Sequence, residues 1–185
     1  MIKIKKDIIK ELRNIKFHNK HNISVRYFII SAGILVICAY ISKNYYQLIL
    51  IQGKSMEPTY NEYQLTYVKK KYTEVKRGDV ILFKCAALDN ISLIKRVVAV
   101  PGDTVYISGG ILYINGCNYN ELADISEKSG SFRYGNIEYA GTAACPIELK
   151  EGEYFVIGDN YEYSKDSRYE EIGIVDEADI IGIVP

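Results

Sequence analysis

"ISLIKRVVAVPGDTVYISGGILYIN", residues 91–115, is built from runs of Ile, Val, Leu and Tyr broken at Pro101-Gly102-Asp103 and Ser108-Gly109-Gly110. Short β-branched and aromatic runs between turn residues read as strands, and Gly-Gly reaches the positive φ values of a tight hairpin. The same pattern extends in both directions. "YYQLILI" (45–51), "YQLTYVKK" (63–70) and "DVILFK" (79–84) precede it, and "YFVIGD" (154–159) follows. No long helical period appears after residue 45. The chain is therefore expected to be mainly β, an antiparallel sheet or barrel-like domain. A polar excursion, "CNYNELADISEKSGSFRYGNIEYAGTAAC" (117–145), interrupts it.

Upstream of the strands the character changes. "YFIISAGILVICAYI" (27–41) is apolar throughout and bracketed by Arg26 and Lys43. Val25 lengthens the run, the flanking cations can snorkel, and Tyr45 and Tyr46 suit an interface, so a single tight membrane span is expected. A cleavable secretory signal needs small residues at −3 and −1; Cys38-Ala39-Tyr40 and its neighbours lack them. The 185 residues thus divide into a basic segment 1–24, a signal-anchor helix 25–43 and a β-rich domain 44–185. Charge follows the same division. Met1 to Arg26 carry eight Lys/Arg against Asp7 and Glu11, while the whole chain is neutral, so the remainder carries a net charge of −6. The positive-inside rule keeps the basic start in the cytoplasm of a plasma membrane and sends the domain outside. "IKIKKDIIKELRNIKF" fits an amphipathic helix on an anionic leaflet and a disordered basic tail equally well. An acidic exported part without a basic aromatic surface argues against nucleic-acid binding.

The residue inventory limits the chemistry. His18 and His21, the only histidines, both precede the span, so an exported Ser-His-Asp triad is excluded. Cys85, Cys117 and Cys145 are exported, which leaves room for one pair and an odd thiol; Cys38 lies in the span. No C-x-x-C or histidine pair accompanies them, and no metal or other cofactor is expected.

Four stretches then stand in order after the span: "GKSMEPT" (53–59), "RGDVILFK" (77–84), "IKRVVAVPGDTV" (94–105) and "GDNYEYSKDSR" (158–168). Each is weak alone. Together they resemble the type I signal peptidases, membrane-anchored Ser/Lys proteases of peptidase family S26 that remove signal peptides from exported proteins, here in the minimal single-span bacterial form. The resemblance implies Ser55 as nucleophile and Lys95 as its base. Gly53 stands where members carry serine or glycine, the serine adding a hydroxyl to the oxyanion hole, so here the oxyanion would rest on backbone N–H groups, chiefly that of Ser55, and Met56 would pack beneath the substrate. Ser164 would hydrogen-bond the Lys95 amine, Asp166 and Arg168 would pair to hold the loop, and Asp159 would help tie it down.

The chemistry agrees with that assignment. A serine attacks a carbonyl only if a base takes its proton, and without an exported histidine a lysine is the candidate. Free lysine titrates at about 10.4, so fewer than roughly one in a thousand is neutral at pH 7. Burial lowers that value. Strand alternation puts Leu93, Lys95, Val97 and Ala99 on one face and Ile94, Arg96 and Val98 on the other, which sets Lys95 among apolar neighbours. Lys54 adjoins Ser55, but adjacent side chains on extended backbone diverge.

The implied substrate is a precursor with small residues at −1 and −3, the Ala-x-Ala pattern, entering as an extended strand. The bilayer, which Ile49 and Ile51 are expected to meet, and the export pathway are the implied partners of a monomeric enzyme. Narrower substrates such as pilins or conjugation proteins, or a non-catalytic peptide-binding domain, remain as alternatives. The chain departs from the pattern at Lys54, at Tyr161 and Glu162 where Arg and Asp are usual, and by one extra residue before Gly173.

Overall fold

The computed structural model describes residue 23 and residues 25–125 and 133–185. Apart from Ile23, the basic segment 1–24 lies outside them. Chain contacts divide the protein into two units, 1–44 and 45–185.

In the first unit, α1 runs from Val25 to Asn44, a 20-residue helix long and apolar enough to cross a membrane. Its apolar side chains are exposed all round, from Tyr27 to Ile41. In water such a surface is costly, whereas in lipid it is matched.

The second unit is antiparallel throughout. β1 (Tyr46–Leu50), β2 (Leu65–Lys69), β3 (Val80–Cys85), β4 (Ile91–Ala99), β9 (Glu153–Ile157), β10 (Val175–Asp176) and β11 (Ile180–Val184) form a seven-stranded sheet in the order β1-β2-β11-β3-β4-β9-β10. β5 (Thr104–Ser108), β6 (Ile111–Ile114), β7 (Cys117–Asn118) and β8 (Ile147–Glu148) form a four-stranded sheet, β7-β6-β5-β8. The mainly β reading of the sequence is borne out. Gly109 and Gly110 (φ 57° and 78°) make the β5–β6 hairpin turn, with Ser108 paired to Ile111. Asn115-Gly116 (φ 54° and 79°) repeats the device between β6 and β7. The polar excursion also contains a short helix, α2 (Tyr119–Ile125), whose seven residues are too few to set up a long helical period.

β3 explains how the sheet is buried on two sides. Val80 and Leu82 face a cluster with Ile51, Met56, Tyr60, Val68 and Val184, whereas Ile81, Phe83 and Cys85 face another with Val75, Val97, Tyr154 and Val156. A third cluster joins Val105, Ile107, Leu112 and Ile114 of the small sheet to Val98, Ala99, Phe155 and Ile157 of the large one. The expected face of β4 therefore holds through Leu93 and Val97 but not at Ala99. A register shift between Val97 and Ala99 against β9 turns Ala99 toward the third cluster.

β1 also corrects an expectation. Ile49 and Ile51 point into the core, and the exposed side chains are Leu48 and Leu50, beside Leu65 and Tyr67 of β2. The period of two was read on the wrong face. All four cysteines are free, with Cys85 buried.

Candidate active site

Ser55 sits in a compact turn between β1 and β2. Glu57 N–H donates to the Lys54 carbonyl (3.1 Å), Tyr60 N–H to Met56 (2.9 Å) and Ile51 N–H to Gln64 (2.9 Å), and the Glu57-Pro58 peptide is cis. Gly53 enters the turn at φ 82°, a value that a glycine adopts without steric cost. Its N–H donates to Glu62 Oε1 at 3.2 Å. Among the described residues, no group accepts from the Ser55 N–H. Met56 is fully buried below the serine and shares a groove of about 190 Å³ with Ser55, Ile51, Leu82, Ile94 and Lys95.

β4 brings Lys95 to this turn. Lys95 Nζ lies 2.8 Å from Ser55 Oγ, within hydrogen-bond distance, and donates to the Ile94 carbonyl at 3.0 Å. The lysine is 3% exposed. Burial brings its pKa down from 10.5 to about 8, although Asp166 and Asp159 push it upward; Arg168 lowers it further. At neutral pH this raises the neutral fraction on the order of a few hundredfold over an ordinary lysine. Lys54 is exposed and is not bonded to the serine hydroxyl.

The loop after β9 braces the pair from behind. Asp159 accepts from Arg96 Nε and Nη2 at 2.7 and 2.6 Å and from the Thr59 hydroxyl, so one carboxylate joins β4, the Ser55 turn and the loop. Arg96 also donates to the Gly78 carbonyl (2.7 Å). Asp166 accepts from Arg168 Nε and Nη2 at 2.8 and 2.9 Å and from the Gly158 N–H at 3.1 Å. Asn160 then clasps the backbone of the Ser55 turn, its N–H donating to the Ser55 carbonyl (3.0 Å) and its side chain to the Lys54 carbonyl (3.1 Å).

The expected contact between Ser164 and the Lys95 amine is not made. Ser164 Oγ is buried without a hydrogen-bond partner among the described residues, and the lysine turns to the Ile94 carbonyl. Arg96, Thr59 and Asn160 were not identified from sequence. A buried arginine beside the candidate base was the available signal, since such a charge requires a carboxylate. Among the described residues no cluster of His, Cys, Asp or Glu suits a metal ion.

Gly158 leaves no room for a side chain between the loop and the turn. A Cβ there would lie 2.5 Å from the Ser55 carbonyl oxygen and 2.6 Å from Ser164 Cβ. Gly158→Ala is accordingly expected to displace the serine and lower kcat by about 10²-fold, measured as peptide cleavage by a variant that keeps its circular dichroism.

The sequence model of the family described as signal peptidase, peptidase S26, matches residues 23–185. A signal peptidase I of Bacillus licheniformis is 35% identical over 136 residues, covering 72% of this chain and 71% of that protein. A signal peptidase IB of Staphylococcus aureus (strain COL) is 35% identical over 147 residues, covering 72% and 73%. A solved signal peptidase I from Enterococcus faecalis V583 is 29% identical with a TM-score of 0.44, covering 62% of this chain and 100% of that one.

Proposed function

Because the chain belongs to the signal peptidase, peptidase S26, family, a group of serine endopeptidases that cleave signal peptides from precursor proteins, we propose that Ser55 is its nucleophile and Lys95 its general base. The observation that carries this is the 2.8 Å approach of a buried lysine amine to a serine hydroxyl. Neutral Lys95 takes the Ser55 proton as Oγ attacks the scissile carbonyl. The tetrahedral oxyanion is held by backbone N–H groups, chiefly that of Ser55. Collapse breaks the C–N bond, Lys95-ammonium protonates the leaving amine, and an ester to Ser55 remains. The neutral lysine then removes a proton from water as that water attacks the ester; the acyl C–Oγ bond breaks, the lysine ammonium returns its proton to Ser55 Oγ, and the signal peptide leaves as its acid.

Asp166 with Arg168, and Asp159 with Arg96, act as positioning pairs. They hold the loop whose Asn160 fixes the Ser55 backbone. Ser164 supplies volume at the same packing point. The groove lined by Ile51, Met56, Leu82 and Ile94 suits the small, apolar residues that end a signal peptide, the side chains at −1 and −3.

The apolar α1 and the signal peptidase I relatives support a membrane-anchored enzyme. We assign the basic start to the cytoplasm and the β unit to the outer side, as a monomer acting behind the export machinery. Exposed Leu48, Leu50, Leu65 and Tyr67 favour a β unit that rests on the bilayer, where its substrate is held.

The test is to incubate the full-length protein in detergent with an exported precursor whose signal peptide ends in Ala-x-Ala and sequence the product's N-terminus. The expected product begins one residue after the last alanine. Intact precursor, or a product beginning elsewhere, overturns the assignment.

A further inference from the structure

A second groove, of about 460 Å³, opens on the other side of the loop that clasps Ser55. Glu138 and Tyr139 supply one wall, and Tyr161, Glu162, Tyr163 and Tyr169 the other. The rings of Tyr139 and Tyr169 lie 4.8 Å apart, while Tyr163 is 76% exposed and Tyr139 49%. Glu138 and Glu162 are exposed and form no ion pair among the described residues. Arg168 reaches the groove floor but is committed to Asp166 and to the carbonyls of Tyr161 and Ser164. Lys165, paired with Glu171, already lies 5.9 Å from the Tyr169 ring, so the walls offer two carboxylates outside any ion pair beside the rings of Tyr139, Tyr161 and Tyr163. Such a surface attracts an organic cation, through the ring faces and through charge.

The place of this groove indicates where that cation comes from. Asn160 binds the carbonyls of Ser55 and Lys54, and the next residue, Tyr161, enters the groove. The groove assigned above to the signal peptide is lined by Ser55 and by β1, β3 and β4, and it shares no residue with this one. Asn160 thus joins the Ser55 backbone directly to the groove wall that begins at Tyr161.

The geometry points to a site for a lysine or arginine side chain of the precursor just beyond the cleaved bond, giving this enzyme a preference for a basic leaving segment. The inference rests on the Ser55/Lys95 reading. It is tested with full-length protein and precursors identical except for Lys, Gln or Glu placed in turn at each of the first several residues after the bond.

At the responsive position, kcat/KM for Lys over Gln is expected to be about five- to tenfold, with Glu below Gln. The ratio falls toward unity as salt rises. In the Glu138→Gln/Glu162→Gln protein it falls to within about twofold, and because each enzyme is its own reference, a general loss of activity does not affect it. A ratio near unity at every position in the parent, as for a groove that holds a lipid headgroup instead, overturns the inference. So does a ratio unchanged in the double variant. Failure to cut even the Gln precursor overturns the Ser55/Lys95 reading itself, and this one with it.

Discussion

Replacing Ser55 by alanine, or Lys95 by alanine, is expected to lower kcat/KM for precursor cleavage by at least about 10³-fold. The two losses have one cause. Without Ser55 Oγ no ester forms, and without the Lys95 amine the hydroxyl keeps its proton, because the described residues offer no second base within reach. The double variant is expected to be no slower than either single one, since the pair acts as a unit. A folded control distinguishes this from collapse. Lys95→Met keeps the apolar stem while removing an amine that is 3% exposed, so it is expected to melt no lower than the parent. An inactive Lys95→Met that melts normally identifies a chemical loss. Residual activity within about tenfold of the parent would remove Lys95 from the mechanism.

Asp159→Ala is expected to have the largest effect on stability. Arg96 is 6% exposed and Asp159 2%, and both oxygens of the carboxylate take guanidinium bonds, at 2.7 and 2.6 Å. Removing the acid strands a buried guanidinium, which costs about 3–5 kcal/mol. For a chain of this size, that lowers Tm by roughly 10 °C or more. Removing both partners is a smaller insult. Arg96→Met/Asp159→Leu is expected to recover much of the melting temperature, because no buried charge is left alone. It should not recover activity, since Asp159 also ties the loop to Thr59 in the Ser55 turn. Thermal unfolding of the two proteins checks the pair, and an unchanged Tm in Asp159→Ala would show that the ion pair is not structural.

The strands could be read from sequence because they depend on local rules, whereas the pairing of Ser55 with Lys95 rests on resemblance to a family and on the lack of an exported histidine. Gly109-Gly110 fixes a hairpin by φ alone. What escaped depends on partners far along the chain. The shift at Val97/Ala99 is set by pairing with β9, and the inward face of Ile49 by a core that includes Val184 at the far end. Ser164 was assigned a hydrogen bond by resemblance, yet an oxygen's partner follows from rotamer and loop geometry that residue identity does not specify. Asp159 was expected to tie the loop, but its arginine lies 63 residues earlier. Asn160 carries no signal of its own in the sequence, although it bonds the Ser55 and Lys54 carbonyls.

The central claim is that a buried, readily neutralised Lys95 activates Ser55, and the pH dependence of kcat/KM tests it most directly. Lys95 acts as a base only when neutral, so the rate should be low in mild acid, rise with pH and level off, with a midpoint near the value of about 8 that burial gives it. A single ascending limb with that midpoint, absent in Lys95→Met, is the predicted result. A rate that is flat through that range, or one that rises only near the ordinary lysine value of about 10.4, would contradict it.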